Sequence, residues 1–402
     1  MNKHPLSIIV LAAGKGSRMK SDLPKVLHPL AGEPMLCHVL RAAAGLNPQQ
    51  TTVVTGYKAE CVEALLESFP QTQAVRQTEQ LGTGHAVNVC KDALASFNGT
   101  ILILFGDAPM LTTAPLQELL NTHWANGNAI TTLSGHVENP GKLGRILRDD
   151  AGNFAGTKEA KDCSPEELEN TEVATAIFAV QSEHLFRLLA RVNNNNKSGE
   201  YYLNGIEPLA LAEGLKVEAC MVEDVHPLLG CNSREELADA EITRQDDLRA
   251  AAMENGATLE DPATTYFHQN TQLGEDVTVG PNVYFGPNVI LENGVSIESN
   301  CVLKNCTVGQ GSTIAAFSHI DGATIGANAS IGPFARIRPE STVGEGAKVG
   351  NFVELKKANL GAGSKASHLT YLGNAEIGAN VYIGAFGKGN VVGQKLQRHS
   401  HQ

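Results

Sequence analysis

The sequence predicts an α/β chain in two parts: a mostly parallel sheet with helices on both faces, then a parallel β-helix. Two observations carry this. From residue 7 to about 230, short apolar strands alternate with helical segments, the pattern of strands joined by crossover helices. Beyond residue 270, aliphatic or aromatic residues return every six positions, occasionally five, usually followed by a small or polar residue and often by glycine. A length of 402 residues also exceeds what one hydrophobic core comfortably serves, so more than one domain is expected.

In chain order, "SIIVLA" (7–12), "TTVVTG" (51–56) and "TILILF" (100–105) read as strands, because each is a short run of aliphatic and β-branched residues. Residues 35–44, 61–69 and 84–95 read as the intervening helices. Ligands of such a sheet sit at the carboxyl ends of its strands, where "LAAGKG" and "LILFGDAP" fall. Residues 233–256 read as a connecting helix: Ser233 and Glu236 have capping-box spacing, Leu237, Ala240, Leu248 and Ala251 recur near helical spacing, and a glycine closes the segment.

The repeat runs through positions 273, 279, 285, 291, 297 and 303, then 308, 314, 320, 325, 331, 337, 343, 349, 355 and 360. A period of six is neither helical nor a plain strand alternation, and it suits stacked coils that each turn one apolar residue inward. A generic glycine-rich coil would not hold register over so many positions. The expected organisation is a first domain over 1–232, the helix over 233–256, a β-helix over 257–385, and a tail over 386–402 that is rich in Gln, His and Lys and lacks the register.

A formal net charge of -12 excludes the extended basic surface that non-specific nucleic-acid or anionic-membrane binding needs. No apolar run reaches the ~18 residues of a membrane span, and the first twenty residues lack a signal-peptide pattern, so the expected location is the cytoplasm. Eight cysteines form no C-x-x-C pair and no metal-ligand grouping, which suits buried reduced thiols.

The stretch "LAAGKGSRMKSDLPK" (11–25) places Gly14 and Gly16, which let backbone N–H groups approach a ligand, beside the cations Lys15, Arg18 and Lys25. That combination suits a phosphate chain, although G-x-G alone also describes an ordinary strand-to-helix turn. A dinucleotide fingerprint wants a third glycine where Met19 stands, and a Walker loop is absent. Pro24 fixes the backbone ahead of Lys25. "EQLGTGHA" (79–86) offers a glycine-rich turn with Gln80 and Thr83, and "LFGDAPM" (104–110) puts Asp107 at a strand end, either as a Mg²⁺ ligand or as a helix cap.

These motifs, with "QTEQLGTGHA", "GEYYL" and "GCNS", resemble the sugar nucleotidyltransferases. Together with the hexapeptide region, residues 7 to about 385 closely resemble the bifunctional N-acetylglucosamine-1-phosphate uridyltransferase/glucosamine-1-phosphate N-acetyltransferase family. The resemblance implies a Rossmann-like nucleotidyltransferase domain, followed by a left-handed β-helix that assembles as a homotrimer. It implies attack of N-acetylglucosamine-1-phosphate on the α-phosphorus of UTP, with pyrophosphate leaving. By the same match, Leu11, Ala13 and Gly14 hold the uridine side and Gln77, Gly82 and Thr83 read the base. Arg18 and Lys25 neutralise phosphates, Asp107 and Asn232 bind Mg²⁺, and Gly144 and Glu159 contact the sugar.

The chain departs from the family at this sugar pocket. Ala174 stands for an asparagine and Ala176 for a glycine; Asn204-Gly205 replace a Thr-Asp pair, and Thr157-Lys158 replace an aliphatic pair. Losing an amide that bonds a sugar hydroxyl costs about 1–3 kcal/mol, or about 5- to 150-fold in affinity.

In the second domain, "GPFARIRPESTVGEGAKVGNFVELKKANLGAGSKASHLTYLG" interrupts its repeats with Arg336, Arg338, Lys356, Lys357, Lys365 and a His-x-x-Tyr. A neutral imidazole at His368 suits a general base, and the cations suit a sugar phosphate, although a lone histidine also has a structural reading. The resemblance places glucosamine-1-phosphate at Arg338, Lys356, His368 and Tyr371, with His368 deprotonating the amine that attacks acetyl-CoA, and it carries Ala385 into the same substrate site. Tyr382 stands where the family has a sugar-contacting asparagine, and the family continues with further coils where this chain reads "FGKGNVVGQKLQRHSHQ". Weakened acetyl transfer is therefore expected, from a truncated or frame-shifted end. Two other readings remain at this point: a single-function nucleotidyltransferase with a trimerising β-helix, and a non-catalytic nucleotide-binding trimer.

Overall fold

A computed structural model describes residues 4–384. Ala385 and the tail lie outside the described residues. The chain divides into two compact units, residues 1–240 and 241–402.

The first unit is built on a nine-stranded sheet. Its elements begin with β1 (Leu6–Leu11), α1 (Met35–Ala44), β2 (Gln50–Thr55), α2 (Ala59–Leu66), β3 (Thr72–Arg76) and α3 (Thr83–Asn88). They continue with β4 (Thr100–Phe105), α4 (Thr113–Asn126), β5 (Ile130–His136), β6 (Arg145–Arg148), β7 (Phe154–Lys158), β8 (Glu172–Gln181) and β9 (Val217–Met221). The main path runs β9-β5-β8-β4-β1-β2-β3. β1 pairs in parallel with both β2 and β4, and β8 is antiparallel to β4 and β5. The chain leaves β1 toward β2 and β3 and then returns to β4 on the other side of β1. That reversal makes the carboxyl ends of β1 and β4 a switch point, where loops diverge and leave a crevice.

β1 is a continuous apolar run because it is covered on both faces. Ile8, Ile9 and Val10 have no exposed surface, and Ile8 and Val10 belong to one core cluster while Ile9 belongs to the other. Each buried aliphatic side chain of this kind contributes about 1.5–3 kcal/mol before entropy is counted.

The helix Arg234–Glu254 spans the division between the units. Its first turns pack Leu237 and Ala240 onto Met19 and Met35 of the first unit, whereas Leu248 and Ala252 pack onto the second. Ser233 caps it by accepting from the Glu236 N–H at 3.2 Å, but the Glu236 carboxylate accepts from the Asn232 N–H rather than returning to Ser233.

The second unit is a parallel β-helix. Short strands pair with the next coil at intervals of 17 or 18 residues, as in Thr278 with Ser296 and Ser296 with Thr313. Of the repeat positions, Leu273 is partly buried and every other one is at most 2% exposed, from Val279 to Leu360. The corners need left-handed backbone, which asparagine tolerates, so Asn288 and Asn305 occupy them with φ of 56° and 46°. Their amides bond coil to coil, Asn270 to Asn288 at 2.7 Å and Asn288 to Asn305 at 3.0 Å.

Six of the cysteines are buried, Cys163 is half-buried and Cys61 is exposed, all as free thiols. Burial pushes the Cys90, Cys231 and Cys306 thiols up to about 12. Among the described residues, no helix is long and apolar enough to cross a membrane.

Candidate functional site

The loop after β1 ends in a short 3-10 turn, Ser17–Met19. Among the described residues, the backbone N–H groups of residues 13–17 donate to no acceptor of the chain. Gly16 has φ of 67°, and a Cβ there would lie 2.6 Å from Lys25 Cβ, so glycine lets the loop close over the lysine stem. Pro24, with φ of -50°, leads into the turn Lys25–Leu27 and buries Lys25 to 9% exposure. Unpaired N–H groups beside a placed ammonium suit polyphosphate oxygens.

Lys25 Nζ donates to Asp107 Oδ2 and, at 2.6 Å, to Asn232 Oδ1. Arg18 reaches the same Asn232 oxygen at 2.8 Å. Asn232 Nδ2 donates to the Gly230 carbonyl at 2.7 Å, which turns the amide oxygen toward the cations. The Cys231 N–H donates to the Asp107 carbonyl at 2.8 Å and ties the 230–232 segment to the end of β4. Asp107 caps no helix, since α4 begins at Thr113.

Two hard oxygens thus converge on one cationic position. Among the described residues no cluster of three or more His, Cys, Asp or Glu could hold a metal. The donor set fits Mg²⁺, which takes one or two protein oxygens and completes its shell with water and substrate phosphates.

On the other side of the crevice, the Gln80 amide donates to the Ala13 carbonyl at 2.9 Å and joins the two glycine-rich loops. Leu11 and Ala13 are buried at the end of β1, and Gly14 is exposed. Gln77 follows β3, is 5% exposed, and its side-chain nitrogen lies 3.2 Å from the Gly82 carbonyl. Gly82 has φ of 115°, and a Cβ there would meet the Tyr201 carbonyl at 2.6 Å, so the turn accepts only glycine. The Thr83 hydroxyl accepts from the Leu203 N–H at 3.0 Å, which anchors the start of α3.

Gly144 and Glu159 line an adjoining cavity with Thr83, Thr157, Ala174, Ala176 and Asn204. A second cavity, containing Asp107 and Asn232, shares Phe105, Thr175, Ala176 and Gly230 with it. Burial raises the Glu159 carboxyl above its ordinary range. Behind the wall, Glu207 is fully buried and accepts from the Thr157 N–H at 2.8 Å and its hydroxyl at 3.1 Å; burial pushes Glu207 up to about 8. Ala176 holds φ of 62°, an unfavourable conformation for a residue with a Cβ.

The β-helix residues gather on adjacent coils. Arg338 pairs with Glu354 at 2.9 Å, Glu354 lies opposite Tyr371, and Lys356 is on the strand of Glu354. His368 is exposed on the strand of Tyr371, opposite Asn351. Lys365 stacks on Tyr382 at 5.0 Å. Ala385 lies outside the described residues.

Sequence reasoning passed over His85, Glu207, Phe105 and Gly230. His85 stands in the quoted "EQLGTGHA", but its proximity to Gln77 exists only after β3 and α3 pack. Glu207 looks like one more exposed glutamate of a helix until its burial is seen.

Residues 8–198 match the family described as MobA-like NTP transferase domain, and residues 263–358 match the GMPPB C-terminal domain. Proteins described as "Bifunctional protein GlmU" are similar over 94% of this chain. That of Paraburkholderia phytofirmans is 42% identical over 380 residues, covering 83% of its length. That of Shouchella clausii is 42% identical over 376 residues and 82% of its length. A solved UDP-glucose pyrophosphorylase in complex with UDP-glucose shares the fold, with a TM-score of 0.50, 16% identity, and coverage of 60% of this chain and 99% of that one.

Proposed function

The chain belongs to the family of bifunctional GlmU proteins, and from that premise we propose that its first unit transfers uridylyl from UTP to N-acetylglucosamine-1-phosphate. The second unit N-acetylates glucosamine-1-phosphate with acetyl-CoA. The observation that carries the first assignment is the Lys25 ammonium seated between Asp107 and Asn232 beside a loop of unpaired N–H groups.

In the forward reaction a phosphate oxygen of the sugar phosphate bonds to the α-phosphorus of UTP, and the bond to the bridging oxygen of pyrophosphate breaks. Lys25 and Arg18 hold the charge that grows on the leaving oxygens, and the loop after β1 orients the chain of phosphates. Catalysis of this kind is positioning and charge neutralisation. Asp107 and Asn232, whose oxygens Lys25 Nζ contacts, would hold Mg²⁺, which would supply Lewis-acid neutralisation of the phosphate oxygens. Gln77, Gly82 and Thr83 face the base, with Leu11, Ala13 and Gly14 beside the nucleoside, and Gly144 and Glu159 face the sugar.

In the second unit, His368 takes a proton from the glucosamine amine as it attacks the thioester, and Arg338, Lys356 and Tyr371 hold the sugar phosphate. We place the assembly in the cytoplasm, as a homotrimer. Assaying the two half-reactions separately tests this. Production of UDP-N-acetylglucosamine and pyrophosphate supports the first assignment, and acetylation of glucosamine-1-phosphate supports the second. Binding of UTP without pyrophosphate release contradicts the first.

A further inference from the structure

We infer that His85 is a positioning residue that fixes which edge of the Gln77 amide meets the nucleobase, and thereby selects uracil over cytosine. The inference rests on the reading of Gln77 as a base contact.

The orientation of Gln77 follows from chemistry. Its side-chain nitrogen lies 3.2 Å from the Gly82 carbonyl and 3.0 Å from His85 Nδ1. A carbonyl oxygen can only accept, so the group facing Gly82 is the amide NH₂. Its second hydrogen points to His85, whose Nδ1 must therefore present a lone pair, leaving the ring proton on Nε2. Both amide hydrogens are then used. Among the described residues, Oε1 accepts from no group of the chain, yet it is not sealed from solvent.

That oxygen is a bare acceptor. The ring N3 of uracil carries a hydrogen and can donate to it, whereas the N3 of cytosine presents a lone pair and is repelled. Flipping the Gln77 amide to suit cytosine would turn its oxygen toward the Gly82 carbonyl and His85 Nδ1, two acceptors. His85 is itself held in place. It lies in the first turn of α3, which is anchored by the Gly84 N–H on the Tyr201 carbonyl at 2.7 Å and by Thr83 on Leu203. The Gln77 backbone is fixed by its N–H on the Thr55 carbonyl at 2.7 Å.

Removing the His85 acceptor while leaving Gly82 removes one of two hydrogen bonds that hold the amide. One such bond corresponds to about a 2- to 12-fold change. The test measures pyrophosphate release from UTP and from CTP, each with N-acetylglucosamine-1-phosphate, on the full chain and its variants. His85→Phe keeps the ring without the acceptor, and His85→Asn keeps an acceptor oxygen near the position of Nδ1. The UTP-to-CTP ratio of kcat/KM is expected to fall about 2- to 12-fold in His85→Phe, through KM rather than kcat, and to recover in His85→Asn. Gln77→Ala serves as the control for the underlying reading. If Gln77→Ala loses base preference and His85→Phe keeps it, the role of His85 is wrong and the reading of Gln77 stands. If Gln77→Ala keeps it, both are wrong. Should His85→Phe fail to fold, ¹⁵N ring shifts of His85 in the unaltered chain decide: an Nε2–H tautomer is expected, and a neutral Nδ1–H tautomer overturns the inference.

Discussion

Replacing Lys25 by methionine keeps the buried stem and deletes the ammonium, so it isolates the charge at the centre of the site. The ammonium touches the Asp107 carboxylate and lies 2.6 Å from Asn232 Oδ1, with side-chain exposures of 11% for Lys25 and 18% for Asp107. Both groups are too shielded for the small worth of a surface ion pair to apply. Leaving Asp107 without its cation costs about 1–3 kcal/mol of stability, and each kcal/mol lowers the melting temperature of a unit this size by about 2–4 °C. The loss of preorganised charge at the phosphates lowers turnover by about 10²- to 10³-fold. Thermal melting without Mg²⁺ and pyrophosphate release at saturating Mg²⁺ measure the two effects on one preparation. Adding Asp107→Asn to Lys25→Met removes the stranded carboxylate and returns most of the stability, but none of the activity. A Lys25→Met chain that turns over as fast as the unaltered one refutes the assignment.

Glu207 gives a pH signature. Its folded value of about 8 lies above its ordinary 4.5, so between these values the folded chain holds a proton that the unfolded chain has released. Stability is then lost as pH rises through that window, by up to about 1.4 kcal/mol per pH unit, and Glu207→Gln should flatten this component in urea denaturation; parallel pH profiles for the two chains would contradict it. Ala176→Gly relieves the left-handed backbone at φ of 62° and should stabilise the first unit by about 1 kcal/mol, read as a rise in melting temperature. His368→Ala should lower acetyl transfer by about 10²- to 10⁴-fold while uridylyl transfer is unchanged. Equal loss in both assays would show a folding defect instead of a lost base.

The parts of the fold written in local pattern were legible in the sequence. β1 and β4 are apolar runs and β2 a run of threonines and valines because both of their faces are buried; β1 and β2 each begin one residue before the expected start, and β4 begins at it. The hexapeptide positions declare themselves because each coil of 17 or 18 residues turns three of them inward, as at Val279, Phe285 and Leu291. β3, "TQAVR", escaped notice: it is short, polar and largely exposed at the edge of the sheet, so it carries no apolar run. The helix Arg234–Glu254 was readable as a connector, but not its division between two cores. In the site, Lys25, Asp107 and Asn232 stood out through their flanking Gly and Pro residues and through family resemblance. Their convergence depends on the strand order β4-β1-β2, which no short motif encodes. His85 and Glu207 were invisible for the same reason, since each gains its chemistry from a partner brought near by sheet packing.

In the proposed reaction Asp107 and Asn232, with Lys25 and Arg18, would hold a divalent ion and a triphosphate together at the switch point of the first sheet. Pyrophosphate release from UTP and N-acetylglucosamine-1-phosphate, followed with Mg²⁺ present, then chelated, then restored, tests it most directly. Turnover that stops on chelation and returns with the ion is the predicted result, and an undiminished rate in the chelated enzyme would contradict it.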